Sequence, residues 1–293
     1  MDTPATSPLH PRLQRVLDRL SAALAQGEPP PELEVLAREA HFSPFHFHRL
    51  WRALTGEPIG GTVARLRLRR ALGLLAQPGA SITDVALAVG FESSQSFARL
   101  VRQHLDTTPG ALRDDAAARD EAARRLERPL RAMASNPPLA VSVVSLAPFD
   151  AVLVSATGDN EALAEAYGAL FAWAAEVGLV EAITGLWGID HDDRRDVPAE
   201  QCRAEAILAF PVGTTLAPAE GLRAGHEAGG RYARVRVVGP YDRLEPALDG
   251  LLADWWPTSG YALAERPILF QYLDDPETTP AEVLRTDIHL PLA

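Results

Sequence analysis

The first third of the chain is written with helical spacing. Leu13, Val16, Leu17, Leu20 and Leu24 follow the i, i+3, i+4 rule of an amphipathic helix, predicted over 9–26 and ended by Gly27 and Pro29, Pro30 and Pro31. A short helix over 32–40 follows. Ser43 and Pro44 then offer an N-cap and a first-turn proline for the segment FHFHRLWRALTG, with Leu33, Leu36, Ala37, Phe42, Phe47, Leu50 and Trp51 as the core of this pair. Residues 62–77 read as a longer helix rich in arginine, although Gly60 and Gly61 near its start disfavour helix. The helical pair then recurs. A short helix over 84–89 leads to Gly90, which permits the positive φ of a sharp turn, and Ser93 or Ser94 caps a helix running to His104. Val85, Val89, Phe91, Phe97, Leu100 and Val101 form its shared core, with Ala86 and Gly90 allowing close approach. From Leu139 the texture changes to short β-rich runs (LAVSVVSLA, AVLVSATG, AEAILAFPV, RYARVRVVG, PILFQYL), so the second half is predicted α+β.

That second half is also duplicated. Gly158 and Asp159 with the helical segment after them match Gly239 to Asp242 and its successor, 81 residues on. Asp192, Asp193, Pro198, Ala199, Glu200, Arg203 and Glu205 are echoed 82 residues later by Asp274, Asp275, Pro280, Ala281, Glu282, Arg285 and Asp287. Each repeat reads as strand, helix and strands, and two such units would leave a cleft between them.

Composition bounds the rest. The 293 residues, 47% of them hydrophobic, suit two domains, and no apolar run is long enough to span a membrane. The N-terminus carries no secretory pattern and Cys202 is the single cysteine, so a reducing, cytoplasmic setting is expected. The net charge of −11 divides unevenly: residues 1–131 hold 18 Arg against 15 acids (+3), and 132–293 hold 10 Arg against 24 acids (−14). Only the first half suits phosphate. Lysine is absent, which favours bidentate arginine contacts but also fits a compositional bias of the genome.

The outer face of the second helical pair carries Ser94, Gln95, Ser96, Arg99 and Arg102. Gln pairs bidentately with adenine and Arg with guanine in a major groove, although such a face alone is more often simply solvated. The segment GFESSQSFARLVRQHLDTTPGALR resembles the second helix-turn-helix of the AraC/XylS family of transcription regulators, and residues 32–56 resemble the first. The resemblance implies that Phe45, His48 and Arg49 also face DNA, with Arg52 on a phosphate, while Arg65, Arg67, Arg69 and Arg70 of the spacer helix divide between structural pairs and phosphate. His46 and His48 diverge by about 200° on a helix, so they are not expected to share a metal.

The phrases VVGPYDRLEPAL and YLDDPETTPAEVLRTDIHLPL resemble the GyrI-like domain, a small-molecule-binding module of multidrug-sensing regulators. The resemblance implies an aromatic cleft, for which Tyr167, Trp187, Ile189, Phe210, Trp255, Trp256, Phe270 and Tyr272 are the candidates, each with the alternative of plain core. Where relatives carry a cleft glutamate this chain has Phe270, which leads us to expect neutral, flat or lipophilic ligands over permanent cations. Asp190 or Glu205 could replace that charge, or be ordinary strand and turn acids. The repeated acid pairs read as structural loops.

The expected architecture is multidomain: an all-α double helix-turn-helix DNA-binding domain over 8–115, an Ala/Arg-rich helical linker over 116–138, and an α+β duplicated GyrI-like domain over 139–293. The expected function is sequence-specific, effector-controlled regulation of transcription, with double-stranded DNA and a small molecule as partners and RNA polymerase as a further one. No cofactor, metal or catalytic residue is implied, and the oligomeric state is not given. The alternatives are a GyrI-like hydrolase, or a domain that titrates a protein partner, fused to a DNA-binding module.

Overall fold

The computed structural model describes residues 11–42, 44–127 and 139–293, without the side chains of Pro44 and Phe45. Ser43 and the end of the expected linker fall outside the described residues. The chain divides into two compact units, 1–134 and 135–293.

The first unit is helical. It runs α1 (Pro11–Gln26), α2 (Leu33–Glu39), α3 (Pro44–Thr55), α4 (Ile59–Leu75), α5 (Ile82–Ala88), α6 (Ser94–Leu105), α7 (Pro109–Asp114) and α8 (Ala116–Leu126). Local chemistry fixes the breaks. Ser81, Ser93 and Thr108 each accept a backbone N–H of the first turn of α5, α6 and α7, and Asp106 closes α6 in the left-handed region at φ 51°. The start of α4 is tied to α3 through a buried chain: Trp51 Nε1 donates to Thr62 (3.0 Å), Thr62 donates to Glu57 (2.9 Å), and Arg65 Nε donates to the same carboxylate (2.9 Å). Leu68, Leu72, Leu75, Val85, Val89, Phe97, Val101 and Leu105 form one core. Ala122 and Leu126 of α8 are buried in it, and Arg119 and Arg125 donate to carbonyls of Leu112, Arg113 and Leu105. Residues 116–126, expected as the first part of a linker, are thus a packed helix of this unit.

The second unit is an eight-stranded antiparallel sheet carrying helices on one face. Its elements are β1 (Val141–Leu146), β2 (Phe149–Thr157), α9 (Asn160–Glu176), β3 (Gly185–Asp190), β4 (Arg203–Phe210), β5 (Arg223–Glu227), β6 (Gly230–Val238), α10 (Leu244–Gly250), α11 (Trp256–Ser259), β7 (Leu269–Tyr272) and β8 (Arg285–Pro291), with a π-helical turn (Leu251–Trp255) joining α10 to α11. The strand order β1-β6-β8-β7-β3-β4-β2-β5 makes the duplication visible. The triplets β6-β8-β7 and β3-β4-β2 meet at β7 and β3, where Gly188 pairs with Phe270, the residue 82 positions on. The acid pairs are loop fasteners. Asp192 holds the backbone and guanidinium of Arg203, and Asp274 does the same for Arg285.

Strand alternation sorts the apolar side chains into two layers. Val152, Ala206, Leu208 and Phe210 face α9 and its Ala166, Leu170, Trp173 and Ala174. Ala151, Leu153, Trp187, Ile189, Ile207, Ala209, Tyr232 and Leu269 form the opposite layer. There His289, 3% exposed, lies 5.1 Å from the Trp187 ring and 6.0 Å from that of Tyr232. Burial pushes its imidazole down to about 4, against the upward pull of Asp287. Unfolded chain therefore takes up the proton first as pH falls, so stability is lost between about pH 6.5 and the folded value, by up to about 3 kcal/mol. Urea melts across that window should show the loss and His289→Phe should flatten it; an unchanged slope would assign the acid sensitivity to other groups.

Candidate functional site

The two helix-turn-helix pairs superimpose in sequence but not in exposure. On α6 the buried stripe Phe97, Val101 and Leu105 turns Gln95, Ser96, Arg99 and Arg102 to the surface, with Ser94 half-buried. The Ser96 hydroxyl is engaged, donating to the Ser93 carbonyl at 2.8 Å. Gln103 continues the Gln95 and Arg99 line at i+4 and is exposed as well, a position that the sequence reading omitted.

On α3 the arrangement differs. Arg49 is only 4% exposed, and His48 and Arg52 are half-buried, while the side chain of Phe45 lies outside the described residues. The expectation that Arg49 stands open on a reading face is therefore corrected. Its stripe, His46, Arg49 and Ala53, is buried beside the apolar one of Phe47, Leu50 and Trp51. Of the spacer arginines, Arg65 pairs with Glu57 at 2.8 Å, Arg67 lies over the Phe91 ring, Arg69 is exposed and Arg70 half-buried.

The second unit holds a cavity of about 800 Å³ on the helix-bearing side of the sheet. Leu186, Asp190 and Tyr272 enter it from β3 and β7, and Leu163, Tyr167 and Phe171 from α9. Tyr241, Leu244 and Glu245 close the side toward α10. The three tyrosines form a cage: Tyr272 lies edge-on to Tyr167 (6.0 Å, 85°) and to Tyr241 (5.6 Å, 76°). Tyr167 donates its hydroxyl to the Trp187 carbonyl. Burial pushes all three phenols above their ordinary range, so they stay protonated.

Acids outnumber bases on this wall. Asp190, Asp242, Glu245, Asp274, Asp275 and Glu277 line it against Arg194 and Arg195, and Arg195 is already held by Asp193, Glu245 and Asp249.

Only Tyr167 and Tyr272 of the eight expected cleft residues line the cavity. Trp187 and Ile189 have the wrong strand parity and lie in the opposite layer, where Trp187 stacks on Phe149 at 5.3 Å. Phe210 shares the helix-bearing side but is covered by Trp173, edge-on at 6.0 Å. Trp255 stacks on Tyr261, and Trp256 is 5% exposed and donates to the Tyr261 carbonyl. Phe270 is 2% exposed, paired between Gly188 and Ile288, and reaches core rather than cavity. The charge argument built on Phe270 therefore loses its footing.

Glu205 stands outside the cavity, with His191 and Arg223 holding its carboxyl below the usual range, whereas Asp190 lines it. The residues missed around Tyr167 carried a signal. Asn160, Leu163, Ala164, Tyr167, Gly168 and Phe171 recur at helical spacing along one side of α9, next to the core stripe Ala166, Leu170 and Trp173.

Comparison with known proteins agrees with this division. Residues 139–293, more than half of the chain, match the family described as a GyrI-like small molecule binding domain, and residues 36–115 match a helix-turn-helix domain. The chain is 38% identical over 104 residues to the HTH-type transcriptional regulator GlxA of Rhizobium meliloti, covering 36% of this chain and 31% of that protein. It is 31% identical over 84 residues to the probable transcription factor PqrA of Proteus vulgaris (29% of this chain, 69% of PqrA). It is 28% identical over 101 residues to the regulatory protein SoxS of Escherichia coli K12 (34% and 94%). Among solved structures, an EcmrR–DNA complex aligns over 89% of this chain and 99% of its own at 14% identity and a TM-score of 0.43. A hydrolase from Listeria innocua aligns over 54% and 94% at 16% identity and 0.39. The chain thus belongs to the GyrI-like small-molecule-binding family through its second unit and carries an AraC-type helix-turn-helix domain in its first.

Proposed function

We propose that α3 and α6 read successive major grooves of one DNA site, and that the tyrosine cavity holds a flat, lipophilic or aromatic effector that sets the regulator's output. The observation that carries this is the pairing, in one chain, of an exposed Gln95, Arg99 and Arg102 face with a tyrosine-caged cavity of about 800 Å³, within the size range of drug-like sites. The acids around the cage favour a neutral or positively charged effector over an anion. Three protonated phenols support binding rather than catalysis. Such a regulator acts in the cytoplasm, with RNA polymerase as the machinery it recruits or blocks.

A site selected from a randomised duplex pool by the full chain tests this. Arg99→Ala should weaken that site by about 1–3 kcal/mol and flatten base preference in one half of it, as loss of a bidentate guanine contact does. A variant that keeps full sequence preference would remove α6 from the reading.

A further inference from the structure

The two helix-turn-helix turns are built on the same pair of side chains. In each, a residue in the left-handed region precedes a phenylalanine: His41 (φ 55°) before Phe42, and Gly90 (φ 84°) before Phe91. In each, an arginine from the helix leading into the unit covers that ring. The Arg12 guanidinium carbon of α1 lies 5.3 Å from the Phe42 centroid, and that of Arg67 in α4 lies 5.2 Å from the Phe91 centroid. Both also reach the turn itself. Arg12 Nη1 donates to the His41 carbonyl at 3.5 Å, and Arg67 Nη2 lies 3.1 Å from where a Cβ on Gly90 would stand. Arg12 is the second residue of α1 and Arg67 the ninth of α4, so the recurrence belongs to the turn rather than to a copied helix.

The contact leads onward to the reading helix. Phe91 leans on Phe97 at 5.6 Å, and Phe97 is the fully buried anchor of α6. Arg67 is half-buried, and its Nε is enclosed with no hydrogen-bond partner among the described residues, so the Phe91 ring face is the favourable contact that end of the cation has. A group so placed acts on the turn, not on a phosphate.

We infer that Arg12 and Arg67 are positioning residues for DNA recognition, each clamping the phenylalanine of its turn and so fixing the angle at which α3 or α6 is presented. The inference rests on the reading of those two helices as the base-reading elements.

The test uses the full chain and a duplex selected by it from a random pool. Arg67→Met keeps the stem and removes the guanidinium. It should weaken the selected duplex roughly fivefold to tenfold, about the worth of a partly buried cation–π contact. The loss of base preference should fall in the half-site that Arg99→Ala flattens, and Arg12→Met should act on the other half. The slope of log affinity against log salt should not change, since no phosphate contact is removed. Phe91→Leu should reproduce the loss, Arg67→Met added to it should cost less than about twofold more, and Arg67→Lys should restore most of the preference.

A salt slope shallower by about 0.9 would make Arg67 a phosphate contact and overturn the inference. Additive losses in the double variant, or flattening of both halves by either single variant, would overturn it too. If Arg99→Ala is silent, the reading of α6 fails first; if Arg99→Ala flattens its half and Arg67→Met does not, only the clamp fails.

Discussion

Phe97→Ala should lower the stability of the helical unit by about 3–5 kcal/mol, the range found when a buried aromatic ring is truncated. The side chain is 0% exposed, touches Phe91 at 5.6 Å and shares a stripe with Val101 and Leu105. That loss is a large fraction of the ~5–15 kcal/mol by which domains are stable. Gln95→Ala, two residues away on the exposed side, should stay within about 0.5 kcal/mol of the unmodified chain. The DNA readouts invert. Gln95→Ala should change which base is preferred without moving the denaturation midpoint, whereas Phe97→Ala should weaken every sequence in proportion to the unit it unfolds. Urea melts followed by helical circular dichroism, paired with duplex titration, decide between them. A loss under about 1 kcal/mol for Phe97→Ala would mean that α6 is held by something other than this core.

The helical unit was readable because its chemistry is local. The caps at Ser81, Ser93 and Thr108, the glycine turn at Gly90 and the 3.6-residue stripes are all set within a few residues. Arg49 was not, since its position in the motif matches Arg99 while its 4% exposure depends on surroundings that no local pattern encodes. The same limit explains the cavity. The repeat offset announced two related halves, but choosing aromatics by type ignored strand parity, which sends Trp187 and Ile189 to one layer and Leu186, Asp190 and Tyr272 to the other. Parity was available from the sequence once register was assumed. That Phe270 would be covered while Tyr272 stays at the cavity wall was not, because it depends on the pairing of β7 with β3 and β8.

Tyr272→Ala should weaken binding of a flat aromatic probe at least ~100-fold, or ~2.7 kcal/mol. Its ring is the wall shared by Tyr167 and Tyr241, so its removal deletes one stacking surface and frees the other two from their edge contacts. The truncation also lowers stability by about 3 kcal/mol, which calls for a companion that keeps the Tyr272 side chain and only displaces it. Gly188 provides it. A Cβ there would stand 3.1 Å from Tyr272 Cε2, 3.2 Å from its hydroxyl and 3.4 Å from the Glu205 carbonyl. Gly188→Val therefore pushes the Tyr272 ring off its seat at an overpacking cost of about 1–3 kcal/mol. The displaced ring should cut affinity at least about tenfold in a chain that still melts cooperatively. Calorimetric titration of the full chain with acridine and N-methylacridinium, without DNA, measures both variants and the charge preference together. Phe270→Glu should leave the acridinium to acridine ratio unchanged and reduce stability instead, since its carboxylate would enter core that is 2% exposed. A raised ratio in that variant, with Tyr272→Ala and Gly188→Val binding normally, would move the effector site away from the tyrosine cage and back to the position of Phe270.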